Sequence, residues 1–420
     1  MSSPPSLDPR DAGGRPREGS TRVALVATHP VQYHGPWFRK LAALPGIELR
    51  VLFCCDHGTK PSFDSGFNAT FAWDRPLTDG YAHEFLPNVH PKPGPQSFWS
   101  RTNPVLWERI HPQRVDAVIV FGWGFASTLI ALAAARAHGV PAIMHSESNL
   151  GPITRPPWKT AVRGATLTGL FGQCDAFLAV GSKGREMYEA YGAATEQVFI
   201  ANYCADNEFF EGERTRLAPR RAELRAALGV DDDRAILVCP GKLFPDKEPL
   251  ELVEAFAEVR RKRPARLVFL GDGPLRDDVT RAARERGIGD DVLITGFKNQ
   301  REIGEVYAAA DLMAFPSKRE TWGIVVNEAM LFGLPVVCSD QVTAHHDLVE
   351  PGVTGDTYPS GNARALASVL ERRLAEPATM RSMGEAGLVR VRGWNYDVAT
   401  ANTAAAIGYA VERRARRRTR

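Results

Sequence analysis

The 420-residue chain lacks most of the features that would settle its class at once. Its six cysteines form no C-x-x-C pair, and Cys54 and Cys55 stand side by side at an apparent strand end. That excludes a disulfide framework or zinc-finger spacing and predicts reduced thiols. No G-x-G-x-x-G follows the first strand of either half, which argues against a simple NAD-dependent dehydrogenase. No apolar run is long enough to span a membrane: the richest window, residues 118–137, is broken by Gly122-Trp123-Gly124 and closes on Arg136 and His138. An excess of one charge is missing too. Lys+Arg 52 against Asp+Glu 49 leaves a net +3, which permits an anionic substrate without demanding nucleic acid. Residues 1–21 are rich in Pro, Gly, Ser and Arg with no apolar stretch, and are expected to be a disordered tail rather than a secretory leader. A cytoplasmic protein follows, peripheral to the inner membrane face at most.

What is present is a rhythm. Short apolar runs at residues 23–28, 47–53, 116–121, 141–144, 175–180 and 197–200 read as buried strands, with amphipathic helices at 37–41, 128–138 and 183–191. After a polar stretch at 206–221 the rhythm restarts, with strands at 235–239, 266–270, 292–295, 311–315 and 336–338 and helices at 250–261, 275–286 and 301–309. Such alternation predicts an α/β protein of two facing Rossmann-like, doubly wound parallel-sheet domains with a cleft between them. The boundaries expected are 22–203 and 204–390, joined by a linker near 202–206. A C-terminal helix at 391–412 is expected to pack back toward the N-terminal domain, followed by a basic tail at 413–420 that is either solvated or drawn to an anionic membrane. The aromatic-rich stretch 54–104, with Phe63, Phe67, Phe71, Trp73, Tyr81, Phe85, Phe98 and Trp99, breaks the pattern and reads either as a functional loop or as an edge decoration with its own small core.

The most informative segment is Glu320-Thr321-Trp322-Gly323-Ile324-Val325-Val326-Asn327-Glu328, at the turn from a strand into a helix. A helix N-terminus offers free N–H groups and a positive dipole end, suited to an anion. Carboxylates before and within it are placed instead to accept hydrogen bonds from hydroxyls on either side of that anion. Eight helical positions span roughly 12 Å. Sugar, diphosphate and ribose follow one another in that way in a nucleoside diphosphate sugar. Upstream, Pro240-Gly241-Lys242-Leu243-Phe244-Pro245-Asp246-Lys247 puts two lysines at the end of the second domain's first strand, where they can stabilise diphosphate as a leaving group. Gly271-Asp272-Gly273 and Gly296-Phe297-Lys298 close later strands, and His145 closes one in the first domain. Asp231-Asp232-Asp233 reads as a helix-stop turn, and His345-His346, adjacent on a helix, make a poor metal pair.

With these motifs in this order, the chain resembles the retaining, nucleotide-sugar-dependent glycosyltransferases of the GT-B fold, family four (glycosyl transferases group 1, E-x(7)-E motif). The resemblance covers most of residues 22–410 and is strongest over 240–355. It implies that Glu320 contacts the donor sugar, Glu328 holds the ribose and Lys247 the diphosphate. The backbone of Trp322, Gly323 and Ile324 would cradle phosphate, Phe297 and Lys298 would meet the nucleobase, and Gly241 and Gly271 would line the donor site. Lys242 stands where the family usually has arginine. Glu350-Pro351-Gly352-Val353-Thr354-Gly355 matches the family's E-x-G-x-x-G turn, whereas Gln341-Val342 replaces a common glycine pair. In the first domain only Gly35 could approach the donor as the family's glycines do, helped by Gln32, Tyr33 or His34, and His145 sits where relatives place a histidine near the transferred sugar. The resemblance implies a metal-independent transfer with no cofactor beyond the nucleotide-sugar donor. The acceptor could be a lipid, a glycan or a small molecule. A nucleotide-sugar epimerase or phosphorylase on the same architecture, and a catalytically degenerate binding protein, are the alternative readings.

Overall fold

The computed structural model describes residues 19–64, 66, 69–71, 73–92, 97–151 and 156–418. Most of the expected disordered tail, and Phe67, therefore lie outside the described residues. The N-terminal half carries β1 (Thr21–Ala27), β2 (Ile47–Phe53), β3 (Ser62–Asp64), β4 (Ala69–Phe71), β5 (Ala82–Phe85), β6 (Ala117–Phe121), β7 (Ala142–Ser146), β8 (Ala176–Ala179) and β9 (Val198–Ile200). Seven of these form one parallel sheet in the order β5-β2-β1-β6-β7-β8-β9, while β3 and β4 make a separate antiparallel hairpin. The second half carries β10 (Ala235–Pro240), β11 (Ala265–Leu270), β12 (Val292–Ile294), β13 (Leu312–Phe315), β14 (Val336–Ser339) and β15 (Gly355–Tyr358), a six-stranded parallel sheet in the order β12-β11-β10-β13-β14-β15. These are the two Rossmann-like sheets of a GT-B fold.

The central strands are apolar throughout because helices cover both faces of each sheet. All five residues of β6, Ala-Val-Ile-Val-Phe, are buried. In both sheets strand order reverses beside the first strand of the half, between β1 and β6 and between β10 and β13. The loops leaving those strands diverge there and open a crevice at their carboxyl ends.

Three segments differ from the sequence expectation. The polar stretch 206–221 is largely helical: Asp206 caps the helix Asn207–Leu217 by accepting from Phe209 N at 3.2 Å, and only Phe210 and Leu217 of that helix are buried. β15, Gly-Asp-Thr-Tyr, has too little apolar character to read as a strand. The basic tail continues the last helix, one rod over Tyr396–Arg418, with Arg416 and Arg417 still exposed. Its Ala399, Ala406, Ile407 and Ala410 join the core cluster of Val23, Leu25 and Phe38. Arg413 donates to the carbonyl of Asp175 at 2.9 Å, Arg414 to that of Gly139 at 3.3 Å, and Arg417 lies 3.5 Å from the Asp175 carboxylate. Arg413 and Arg414 thus cap the backbone that feeds β7 and β8, on the side away from the strands' carboxyl ends. No helix among the described residues is long and apolar enough to cross a membrane.

The last helix should be a structural element of the N-terminal domain. Ile407→Asp would bury an unpaired carboxylate and should cost at least about 3 kcal/mol in urea unfolding. Val398→Asp, at a position 37% exposed on the same helix, should change stability little.

Candidate active site

The crevice of the second sheet is built by two loops sewn together. Gly241, at φ 126°, turns the chain as it leaves β10, with Lys242 half-buried beside it. A single turn, Pro245–Lys247, then carries Lys247 back toward the loop after β13. Lys318 N and Ser317 Oγ both donate to the carbonyl of Asp246, at 2.9 and 3.1 Å. This stitch brings the Lys247 ammonium onto the Glu320 carboxylate, with the Phe315 ring face 5.5 Å from the ammonium. Residues 73 positions apart in sequence therefore form the charged centre of the crevice.

Glycine is required at two points here for close approach. A Cβ on Gly271 (φ 148°) would fall 2.1 Å from the carbonyl oxygen of Gly241. A Cβ on Gly323 (φ 95°) would meet Val342 at 3.0 Å and Glu320 Cγ at 3.2 Å. Gly271 thus serves loop-on-loop packing. Gly35 does the same: it lies in the helix His34–Ala42, where a Cβ would come 2.9 Å from the carbonyl oxygen of Leu77, so its bareness accommodates the protein's own chain.

Gly323 caps the helix Ile324–Leu331, which is buried on nearly every side. Trp322, 1% exposed, is wedged between the domains. Its ring stacks on Trp394 at 5.5 Å and its Nε1 donates to Asn327 Oδ1 at 2.9 Å, while a Cβ on Gly181 would lie 2.4 Å from it. One turn in, Glu328 is 1% exposed and accepts from Tyr33 Oη at 2.8 Å and Tyr307 Oη at 2.9 Å. One phenol comes from each domain. Burial pushes the Glu328 carboxyl up to about 7, against the opposing pull of the two phenols.

The proposed base contacts lie at the outer end. The Phe297 ring stands 6.4 Å from Trp73 of the N-terminal domain, and Lys298 pairs with Glu302 at 3.1 Å, beside the capping box of the helix Gln300–Ala309. On the opposite wall His145 lies near the end of β7, 2% exposed, with Nδ1 3.1 Å from the carbonyl of Leu178 and Nε2 without a partner among the described residues. Burial lowers it to about 4, so it is neutral. The His345 and His346 rings do lie together, 3.8 Å apart, contrary to the expectation that helix neighbours diverge. Still, no cluster of three or more metal-ligating groups occurs among the described residues.

Sequence reasoning did not single out Tyr307 as a site residue. Tyr307 sits in an apolar helix face, where nothing marks its hydroxyl as aimed at Glu328. Asn149 was missed as well: it donates to the carbonyl of Thr321 at 3.2 Å and to Thr343 Oγ1 at 2.7 Å, bridging the domains. Beside that bridge a cavity of about 770 Å³ is lined by Trp123, Asn149, Arg163, Lys183, Arg319 and Glu320.

A carboxyl raised on folding contributes stability that is full below its unfolded value, near 4.5, and is lost as pH rises through about 7. Between pH 4.5 and pH 8 the wild type should therefore lose up to about 3 kcal/mol relative to Glu328→Gln. Urea unfolding of both proteins at the two pH values measures this.

Comparison with known proteins agrees with this arrangement. Residues 220–390 match the family model of glycosyl transferases group 1. The chain is 34% identical over 201 residues to the alpha-D-kanosaminyltransferase of Streptomyces kanamyceticus, covering 48% of this chain and 51% of that one. It is 30% identical over 252 residues to the D-inositol 3-phosphate glycosyltransferase of Kineococcus radiotolerans, covering 56% and 57%. It thus spans about half the length of these curated relatives. Anabaena Alr3699/HepE, solved in complex with UDP and glucose, superimposes with a TM-score of 0.68 at 16% identity, over 92% of this chain and 99% of that one. The sucrose-phosphate synthase of Thermosynechococcus elongatus gives 0.65 at 20% identity, over 92% and 98%. With both sheets and the crevice described, the chain has a GT-B fold whose second half, residues 220–390, is similar to the glycosyl transferases group 1.

Proposed function

We propose that the protein transfers a sugar from a nucleoside diphosphate sugar to an acceptor hydroxyl, with retention of anomeric configuration and without a metal ion or other cofactor. The observation that carries this reading is the Lys247–Glu320 pair, set where strand order reverses and one turn before a helix N-terminus. Relatives bearing transferase names support it, as do fold neighbours solved with UDP and with UDP-glucose. None of these names favours the epimerase or binding-protein alternatives.

Physical chemistry assigns the roles. The diphosphate would replace Glu320 as the partner of Lys247, with Lys242 and the backbone N–H groups of Trp322, Gly323 and Ile324 sharing its charge. Relieved of its ion pair, Glu320 would accept hydrogen bonds from the sugar. As the bond to the diphosphate breaks, these groups stabilise the charge developing on it, which accelerates reaction without a strong base. A ribose on Glu328 would take over the contact made by Tyr33, so donor entry entails parting Tyr33 from Glu328. The base would then rest near Phe297 and Lys298. The acceptor, whose chemical class stays open among lipid, glycan and small molecule, would enter through the cavity beside Asn149 and Trp123.

Lys247→Ala and Glu320→Ala should each lower transfer at least 100-fold, measured with the nucleotide sugar that most raises the melting temperature. Neither side chain is in a core, so the unliganded melting temperature should change little. EDTA should leave wild-type turnover unchanged. Full activity in either variant would refute the proposal, and loss of activity in EDTA would refute its metal-independent form.

A further inference from the structure

The turn that carries Lys247 runs straight into a strained residue. Among the described residues Glu248 is the only non-glycine with a positive φ, 48° with ψ 46°. A side chain is disfavoured in that left-handed conformation, which glycine adopts without steric cost. Pro249 adds to the conflict, because its ring favours an extended backbone in the residue before it. Glu248 nevertheless joins the single turn Pro245–Lys247 to the helix Pro249–Lys262. The backbone direction it sets governs where the neighbouring Lys247 side chain can point.

Strained residues persist where their surroundings fix them, and they gather at functional sites. Glu248 is fixed through its carboxylate, which is 28% exposed and has Oε1 2.8 Å from Lys318 Nζ. Lys318 belongs to the loop after β13, two residues before Glu320, and its backbone N–H already donates to the carbonyl of Asp246. The backbone of residue 246 and the side chain of residue 248 therefore grip the same loop, one on each side of Lys247. A third contact, Arg319 to the Asp246 carboxylate at 3.8 Å, joins two side chains more than half exposed and contributes little.

This grip matters most once a donor is bound. In the free protein Lys247 is also held by Glu320. On the donor-site reading above, on which the inference rests, the diphosphate takes Glu320's place and that tether is lost. The Asp246 stitch and the Glu248–Lys318 pair then hold the lysine turn against the Glu320 loop. We propose that Glu248 is a positioning residue for the transfer: its left-handed turn and its pair with Lys318 aim the Lys247 ammonium at the departing diphosphate. Glu248 acts through Lys247 and itself contacts neither sugar nor phosphate.

Glu248→Gly keeps the turn and removes the carboxylate. Its melting temperature should stay within about 3 °C of wild type, because relief of backbone strain offsets the lost pair. With the preferred nucleotide sugar its kcat should fall about tenfold or more while KM changes less than about threefold. Glu248→Gln, which keeps the strain and loses only the charge, should lower kcat in the same sense. The double variant Glu248→Gly/Lys318→Met should be no slower than the slower of its single variants, since both break one pair. Wild-type kcat in Glu248→Gly, or losses that multiply in the double variant, would overturn the inference. A fall in kcat matched by a fall in melting temperature in both Glu248 variants would overturn it too, marking a purely structural role. Lys247→Ala is the control: full activity there overturns the donor-site reading, whereas an inactive Lys247→Ala beside a fully active Glu248→Gly overturns this inference alone.

Discussion

One carboxyl, Glu328, ties the two halves of this protein together at the site where they are proposed to work. It has a single phenol from each domain, Tyr33 and Tyr307, and almost no contact with solvent. A buried carboxyl needs such partners, because removing it from water unpaired costs several kcal/mol. The domains therefore stabilise the group jointly, and neither can move away without exposing or stranding it. Other cross-domain contacts surround it: Asn149 on Thr321 and Thr343, Ser182 on Asp347, and Trp322 lodged against Gly181. All of them involve the strand-to-helix loops that form the crevice. Ligand binding and domain arrangement thus draw on the same hydrogen bonds, and a ligand that competes for Glu328 necessarily acts on closure.

The charged centre obeys a different economy. Lys247 and Glu320 are 26% and 17% exposed, so their attraction is screened far less than that of a surface pair, yet still hydrated enough to be exchanged. Each partner holds the other in place, which amounts to a site preorganised for an anion that can offer Lys247 more charge than one carboxylate does. Close packing of bare backbone at Gly241 and Gly271 holds the loops rigid beneath it. Precision here comes from glycines that serve the protein's own packing.

Much of this was legible in sequence, and the reason is local. Strands buried on both faces, such as β2 and β6, announce themselves as apolar runs, and glycine and proline mark the turns at their ends. Glu320, Trp322, Gly323 and Glu328 were readable together because their spacing lies within one turn-and-helix unit. The helix Asn207–Leu217 and β15 escaped because each buries too few apolar side chains to impose a period. Glu328's partner Tyr33 lies 295 residues away, and topology alone brings it near. Gly35 and Gly271 were read as open to a ligand, since a sequence cannot say whether the space a glycine leaves is filled by a substrate or by Leu77 and Gly241. The start of the arginine tail was hidden for the same reason: only the fold shows the carbonyls of Asp175 and Gly139 lying beneath Arg413 and Arg414.

The aromatic stretch between β2 and β6 now has a physical reading. Trp73, Asp74 and Arg75 are consecutive, and each reaches the other domain. Trp73 meets the Phe297 ring, Asp74 accepts from Arg301 N at 3.2 Å, and Arg75 pairs with Asp206 at 2.7 Å while lying 4.4 Å over the Phe209 ring. These three successive contacts strap the segment to the second half at the rim of the cleft. The β3–β4 hairpin of the same stretch stays a separate two-stranded element. The strap instead adds polar, breakable contacts at the rim of a cleft whose centre is held by Glu328. Such contacts are weak singly and geometrically specific together, which lets them favour closure without locking it.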